Sequence, residues 1–97
     1  MPTYITLFRW TQQGIEQVKD SPARLDKARA IFRQFGGEIK GFYLVMGQYD
    51  AVIVSEAPDD ETMARIMLAA GTTGNIRSET LRAFTEDEYG QIIAALP

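Results

Sequence analysis

The segment from Phe42 to Val54 constrains the fold of this chain more than any other stretch of its sequence. Two runs rich in β-branched and aromatic residues flank the pair Gly47-Gln48, and a glycine in the first position of a two-residue loop suits a type II′ turn. The segment therefore predicts a β-hairpin. Outward from the loop, the predicted register pairs Met46 with Tyr49, Val45 with Asp50, Leu44 with Ala51, Tyr43 with Val52, and Phe42 with Ile53.

Both faces of this hairpin are apolar. Because successive side chains of a strand point to opposite faces, one face carries Phe42, Leu44, Met46, Tyr49, Ala51 and Ile53. The other face carries Tyr43, Val45, Asp50, Val52 and Val54, of which only Asp50 is charged. A sheet with one face in water would alternate between apolar and polar residues. We therefore expect both faces of the hairpin to be covered.

The rest of the chain carries clear signals for where helices begin and end. Ser21-Pro22 is typical of a helix start, Gly36-Gly37 of a helix end, and the segment from Thr85 to Glu88 of a capping box. The first half of the chain is predicted to form a strand from Thr3 to Trp10, a short helical turn from Thr11 to Val18, and a helix from Ser21 to Gly36-Gly37. The hairpin strands over 39–46 and 49–56 follow. The second half is predicted to form a helix from Pro58 to Gly71, a strand from Ile76 to Phe84, and a C-terminal helix after Thr85.

The order of these elements is βαββαβ followed by a helix. This order predicts an α+β fold of the ferredoxin-like plait type, with a four-stranded antiparallel sheet in the order 4-1-3-2 and two helices on one face. The length of 97 residues corresponds to a single domain over residues 1–97.

Strand alternation assigns the side chains to the two faces of this sheet. The face expected under the helices carries Ile5, Leu7, Val45, Val52, Val54, Leu81 and Ala83. The face expected on the far side carries Tyr4, Phe8, Trp10, Phe42, Leu44, Met46, Tyr49, Ile53, Ile76 and Phe84. Each aromatic residue can bury about 150–250 Å², so this far face would exceed the roughly 300–600 Å² of the largest apolar patch on a typical monomer.

One short helix cannot cover four strands. We therefore expect a homodimer, or an assembly of dimers, joined through the outer sheet face as a dimeric α/β barrel.

Composition restricts the classes of function and partner. The net charge of −3 provides no excess positive charge for binding phosphates, which argues against a nucleic-acid partner. The chain has no histidine and no cysteine, so we expect no metal site, no thiol chemistry and a cytoplasmic location. No run of residues approaches the ~18 apolar residues of a transmembrane helix, and the first residues lack a signal-peptide pattern. We therefore expect no membrane partner.

A set of short motifs spread along the chain resembles one known family. The motifs are Met1-Pro2-Thr3-Tyr4-Ile5-Thr6-Leu7, Asp20-Ser21-Pro22-x-Arg24-Leu25, Gly36-Gly37, Phe42-Tyr43-Leu44-x-Met46-Gly47-x-Tyr49-Asp50, Glu56-Ala57-Pro58-Asp59-Asp60, Gly74-Asn75-Ile76-Arg77 and Leu81-Arg82-Ala83-Phe84-Thr85. Over essentially the whole chain they resemble the GYD domain family, with Gln48 between the glycine and the Tyr-Asp pair of the signature. The resemblance implies a dimeric α/β-barrel plait and no established activity.

The residues with functional chemistry are expected at one end of the sheet. The end of the first strand, the hairpin loop and the start of the fourth strand meet there, so the predicted ligand-binding residues are Arg9, Trp10, Tyr49, Asp50 and Arg77. Arg9 and Asp50 are assigned to the helix side of adjacent strands, which predicts an Arg9–Asp50 or Arg77–Asp50 ion pair. Asp50 has two interpretations: a structural carboxylate that ties strand ends together, or the polar anchor or general base of a pocket between sheet and helices. The second interpretation makes it the one candidate catalytic residue.

Other features have structural explanations that weigh against a special site. Trp10 and Tyr49 could stack on an aromatic ligand, but such residues are also enriched in interface packing. The acidic residues of Pro58-Asp59-Asp60-Glu61 suit a helix cap better than a metal site. The loop Gly71-Thr72-Thr73-Gly74 lacks the lysine of a P-loop. We therefore expect no cofactor.

Two functions from different classes remain open. The first is a homo-oligomeric module that binds a small ligand or assembles with other molecules, which the absence of histidine and cysteine favours. The second is a small cofactor-free enzyme, an oxygenase or isomerase of the dimeric α/β-barrel kind acting on an apolar or aromatic small molecule. This second hypothesis rests on analogy of fold. An enclosed apolar cavity lined by Asp50, Arg9 and an aromatic residue would favour the enzyme.

Overall fold

A computed structural model describes all 97 residues of the chain. Its elements are β1 (Thr3–Trp10), α1 (Gln12–Glu16), a 3₁₀ turn (Val18–Asp20), α2 (Ser21–Gln34), β2 (Glu38–Leu44), β3 (Ala51–Glu56), α3 (Asp60–Gly71), β4 (Ile76–Ala83) and α4 (Glu86–Ala94). The four strands form one antiparallel sheet in the order β2-β3-β1-β4. The α+β class and the strand order predicted from the sequence are confirmed. None of the helices combines the length and apolarity needed to span a membrane.

The β2–β3 hairpin has the predicted register but a longer connection. Phe42 pairs with Ile53, Tyr43 with Val52, and Leu44 with Ala51. The two strands are shorter than predicted, because β2 ends at Leu44 and β3 begins at Ala51, so six residues connect them rather than two. Val45 N–H still donates to the Asp50 carbonyl oxygen over 2.9 Å, while Asp50 N–H turns away and donates to the Phe8 carbonyl oxygen of β1, also over 2.9 Å. The glycine at the tip, Gly47, has a φ of 129°, which other residues rarely adopt.

The predicted assignment of the two sheet faces is wrong, because helices α2 and α3 cover the opposite side. The buried hydrophobic residues lie on the sheet face that holds the aromatic side chains of β1, or pack against that face: Tyr4, Phe8, Phe32, Ile39, Ala51, Ile53, Ala57, Met63 and Ile66. The alternation was correct, but it does not show which side the helices take when both sides are apolar. Aromatic side chains bury more area than valine or isoleucine, and the core therefore forms over Tyr4 and Phe8.

The sheet face opposite α2 and α3 has no covering layer, and we call it the open face. By the observed register its apolar side chains are Ile5, Leu7, Tyr43, Val52, Val54, Leu81 and Ala83. Ile5, Leu7, Val52 and Val54 on the two central strands are only half-buried. On the edge strands, Tyr43 is 59% exposed and Leu81 is 44% exposed. The predicted apolar outer face therefore exists, but it consists of aliphatic residues and Tyr43 rather than the predicted aromatic set.

The C-terminal helix α4 does not cover the open face. Its predicted capping box is present: Thr85 Oγ1 accepts from Glu88 N–H over 3.2 Å, and Thr85 N–H donates to Glu88 Oε1 over 2.9 Å. The hydrogen bond from the Thr85 backbone holds the pKa of the Glu88 carboxyl below its usual value. The apolar side chains of α4, Tyr89, Ile92 and Ile93, and Leu96 just after the helix are between 46% and 62% exposed. The chain thus leaves two apolar surfaces without a partner.

Hydrogen bonds from Thr11, at the start of α1, fix the loop between α3 and β4. Short helix α1 is capped by Thr11, whose Oγ1 accepts from Gly14 N–H over 3.1 Å and donates to the Gly74 carbonyl oxygen over 2.6 Å. Thr11 N–H also donates to the Asn75 carbonyl oxygen over 3.0 Å. A Cβ atom at Gly14 would lie 2.0 Å from that same oxygen. Glycine in this weak helix is therefore required by a close backbone approach.

We expect Gly14→Ala to lower the free energy of unfolding by about 1–3 kcal/mol, the usual range for overpacking. The Asn75 backbone must move to admit the new methyl group, because the atom it meets is main chain. Urea denaturation followed by circular dichroism measures the change. Gly71→Ala is the matched control, since nothing lies within 4 Å of a Cβ atom there. Equal effects of the two substitutions would contradict this account of Gly14.

Candidate functional site

A cleft lies between α2, α3 and one end of the sheet. Its volume is about 380 Å³, at the lower end of the range for small-molecule sites. The floor is aromatic and aliphatic: Phe8, Trp10, Phe42, Ile53 and Ile76. The walls come from Leu25, Ala28 and Ile31 of α2 and from Ala69 and Ala70 of α3. The chain therefore forms a shallow, mostly apolar cleft on the helix side of the sheet.

The aromatic floor of this cleft is ordered by ring packing. The Phe8 and Trp10 rings lie 5.9 Å apart at 76°, an edge-to-face arrangement, and the Phe8 and Phe42 rings lie 6.2 Å apart. Such pairs stabilise the arrangement beyond their area of contact. Phe8 is buried, whereas Trp10 and Phe42 are only partly so. Their free surface faces the cleft.

Polar groups line the end and the rim of the cleft. Thr73 and Asn75, in the loop between α3 and β4, line its end. Gln13 of α1 holds this loop, because its Nε2 atom donates to the Thr73 carbonyl oxygen and to Asn75 Oδ1, each over 3.0 Å. Arg24 and Lys27 of α2 are its only charged lining residues. Arg24 Nη2 donates to the Gly14 and Gln17 carbonyl oxygens, each over 3.2 Å. These bonds hold the guanidinium at the rim.

A smaller recess beside β1 and α3 is lined by a tyrosine and an aspartate that contact each other. Tyr4 OH donates to Asp60 Oδ1 over 2.5 Å in the first turn of α3. Burial, followed by this bond to a carboxylate, raises the pKa of Tyr4 to about 12. The same helix is capped by Asp59, which accepts from Thr62 N–H over 2.8 Å, and the hydrogen bonds from Thr62 lower the pKa of Asp59. The predicted helix cap is present at Asp59, and the contact of Tyr4 with Asp60 anchors α3 to the sheet.

Of the five predicted ligand-binding residues, only Trp10 lines the cleft. Arg9 and Arg77 pair across β1 and β4 on the open face, contrary to the predicted helix-side position of Arg9. The Arg9 guanidinium carbon lies 4.9 Å from the centre of the Tyr49 ring. Tyr49 OH donates to Glu79 Oε2 over 2.8 Å, and this bond raises the Tyr49 pKa. These residues form a polar cluster at one end of the open face.

Asp50 joins the ends of β1 and β3. Its Oδ2 atom accepts from Trp10 N–H over 3.0 Å, beyond the last β1–β3 pair. Neither Arg9 nor Arg77 forms an ion pair with Asp50, so the predicted pair is wrong. The ion pairs of the chain are Lys40–Glu38, Lys40–Glu56 and Arg65–Glu61. Instead Arg9 Nε donates to the Gln48 carbonyl oxygen. The observed contact agrees with the structural interpretation of Asp50, while ligand binding by Arg9, Tyr49, Asp50 and Arg77 stays a prediction.

Sequence reasoning missed the cationic rim of the cleft. Arg24, Lys27, Ala28 and Ile31 follow the i, i+3, i+4, i+7 spacing of one helix face. Two cations on the edge of an otherwise apolar stripe were the available signal. These cations line a cleft only because a gap separates α2 from α3, and the periodicity of a sequence does not reveal such a gap.

Comparison with known proteins places the chain in a family. The GYD domain family matches residues 4–93. The chain belongs to the GYD domain family. A curated relative from Thermus thermophilus, the glutamine synthetase and cystathionine beta-lyase binding protein, is 38% identical over 84 residues, which cover 86% of this chain and 88% of the relative. The name of this relative describes a protein that binds two enzymes.

Solved structures share the fold of this GYD protein. FFRP-DM1 superposes with a TM-score of 0.61 at 20% identity, covering 87% of this chain and all (100%) of that one. TTHA0845, also from Thermus thermophilus, has a TM-score of 0.54 at 23% identity, covering 88% of this chain and 95% of that one. Because identity is low in both cases, these structures support the α+β fold alone.

We expect Asp50→Ala to lower the free energy of unfolding by about 1–3 kcal/mol, because the Trp10 N–H loses its acceptor. Asp50→Asn should cost less, since the amide oxygen can still accept. Asp26→Ala, at an exposed aspartate of α2, is the control and should change stability by no more than about 0.5 kcal/mol. Chemical denaturation measures all three variants. A neutral effect of Asp50→Ala would contradict the structural role of this carboxylate.

Proposed function

We propose that this GYD protein is a homo-oligomeric binding module, in which copies pair through the open face and the assembly binds an enzyme partner. The observation that carries the proposal is the uncovered apolar face on the central strands. Ile5, Leu7, Val52 and Val54 lie side by side there. Exposed contiguous apolar surface of this kind marks an interaction site.

The open face can supply roughly half of the area that a stable interface buries on each partner. Four strands about 4.8 Å apart, with six to eight residues at about 3.3 Å each, have a flat footprint of roughly 400–500 Å². A stable interface buries about 800 Å² on each partner. The sheet alone falls short of that area. The exposed side chains Tyr89, Ile92 and Ile93 of α4 are a further apolar surface that pairing can bury.

A second copy fits the chemistry of the open face. Its centre is apolar, and its ends carry both signs of charge, with Arg9, Arg77 and Glu79 at one end and Glu56 at the other. A twofold interface brings the same patch of both chains together. A patch that holds both cations and anions can satisfy its own charges in that arrangement.

We expect Val52→Lys to dissociate the oligomer. Val52 lies between Leu7 of β1 and Tyr43 of β2, so the substitution places an ammonium group at the centre of the open face. Sedimentation velocity at micromolar concentration should show the parent protein as a dimer or a multiple of dimers, and the variant as a monomer. Ala30→Lys adds the same charge on the exposed side of α2 and should leave the oligomer intact. A monomeric parent protein would overturn the proposal.

The enzyme partner is proposed from the relative. Because that protein is named for binding glutamine synthetase and cystathionine beta-lyase, these two enzymes from the source organism of this chain are the partners to test. Sedimentation of micromolar mixtures should show a fast boundary containing both proteins, absent when each protein is run alone. Independent migration in both mixtures would contradict enzyme binding, while leaving homo-oligomerisation to its own test.

The enzyme hypothesis has less support than the binding module. A cofactor-free oxygenase or isomerase would need a proton acceptor beside its substrate. The residues that line the cleft include no carboxylate and no tyrosine. Asp50, the candidate general base, is not among them, since its Oδ2 atom accepts from Trp10 N–H at the strand end. The cleft therefore suits binding better than catalysis.

A further inference from the structure

The cleft under α2 and α3 is distinct from the proposed assembly surface. It lies on the helix side of the sheet, and one chain forms all of it. It holds about 380 Å³, and ten of its fifteen lining residues are hydrophobic. A volume and lining of this kind suit a small organic molecule with a largely apolar body.

The charge of the cleft is one-sided. Arg24 and Lys27 are its only charged lining residues, both are cations, and their spacing of three residues puts them on one face of α2. No carboxylate of the chain forms an ion pair with either of them. Arg24 uses Nη2 for the Gly14 and Gln17 carbonyl oxygens, and a guanidinium group has five N–H donors in all.

These features together select the chemistry of the occupant. A cationic ligand would be repelled by the rim, and a strongly polar one would lose its hydration against the floor of Phe8, Trp10 and Phe42. An anionic group with an apolar body satisfies both regions. We propose that the cleft binds an apolar monocarboxylate, with its hydrocarbon or ring system on the aromatic floor and its carboxylate at Arg24 and Lys27. This site goes beyond the proposed assembly function and does not depend on it.

The single tryptophan of the chain provides the readout. Trp10 lines the cleft and is only partly buried, so an apolar occupant should shift its fluorescence to shorter wavelength. The experiment titrates the protein with octanoate and with 4-phenylbutyrate, which distinguish an alkyl from an aryl body. We expect a saturable shift below about 1 mM for at least one acid. The matching neutral amide should bind at least about tenfold more weakly, because hydrogen bonds to charged groups are the stronger ones.

Substitutions at the rim and the wall locate the bound acid. Lys27→Gln should weaken binding of the acid about tenfold, and Ala69→Leu should abolish it by filling the cleft. Lys19→Gln removes the same charge from an exposed position outside the cleft and should leave binding unchanged. Lys27 and Ala69 are exposed, so both variants should keep the parent's circular dichroism spectrum.

Three results would overturn the proposal. The first is no saturable shift with either acid below about 1 mM. The second is equal binding of an acid and its amide, which would remove the role of the cationic rim. The third is an equal effect of Lys27→Gln and Lys19→Gln. None of these results depends on the oligomeric state, so failure here is distinguishable from failure of the assembly proposal.

Discussion

The structure depends on a sheet whose two faces are both apolar. The helices of a single chain cover only one of these faces. Two helices of fourteen and twelve residues pack over the face that carries the aromatic side chains. The remaining face is left to the solvent or to a partner. Apolar area removed from water contributes about 25 cal/mol per Å², so an uncovered face of this size is a strong driving force for association. The proposed oligomer follows from this constraint.

The two faces of the sheet therefore serve different purposes. The helix side combines the core with a cleft where α2 and α3 leave the aromatic floor partly exposed. The open face has a regular aliphatic centre and a polar cluster of Arg9, Tyr49 and Glu79 at one end. Asp50 lies just before β3 and connects the two regions, because its carboxylate accepts from the backbone of Trp10, whose ring lines the cleft. A ligand in the cleft and a partner on the open face would therefore lie on opposite sides of the sheet, next to the same strand ends.

Much of this architecture could be predicted from the sequence. The hairpin register followed from Gly47 and the flanking β-branched residues, and the start of α4 followed from the spacing of Thr85 and Glu88. The side of the sheet that the helices cover could not be predicted, because alternation is symmetric when both faces are apolar. The predicted Arg9–Asp50 pair was wrong for a different reason. Strand β3 begins only at Ala51, so Asp50 lies outside the strand and its carboxylate accepts from Trp10 N–H, while Arg9 Nε donates to the Gln48 carbonyl oxygen. A pocket between the sheet and the helices was one of the two interpretations of Asp50, but its lining by Arg24 and Lys27 was missed because it depends on the gap between α2 and α3. A cytoplasmic location stays a prediction.

The most direct test of the account is whether a second copy of the chain touches the open face. Isotope-filtered nuclear magnetic resonance on a mixture of ¹³C-labelled and unlabelled protein detects contacts between copies only. The account predicts intermolecular nuclear Overhauser effects from the methyl groups of Ile5, Val52 and Val54. Intermolecular effects confined to α2 or α3, or no such effects at millimolar protein, would contradict the central claim that this face is the assembly surface.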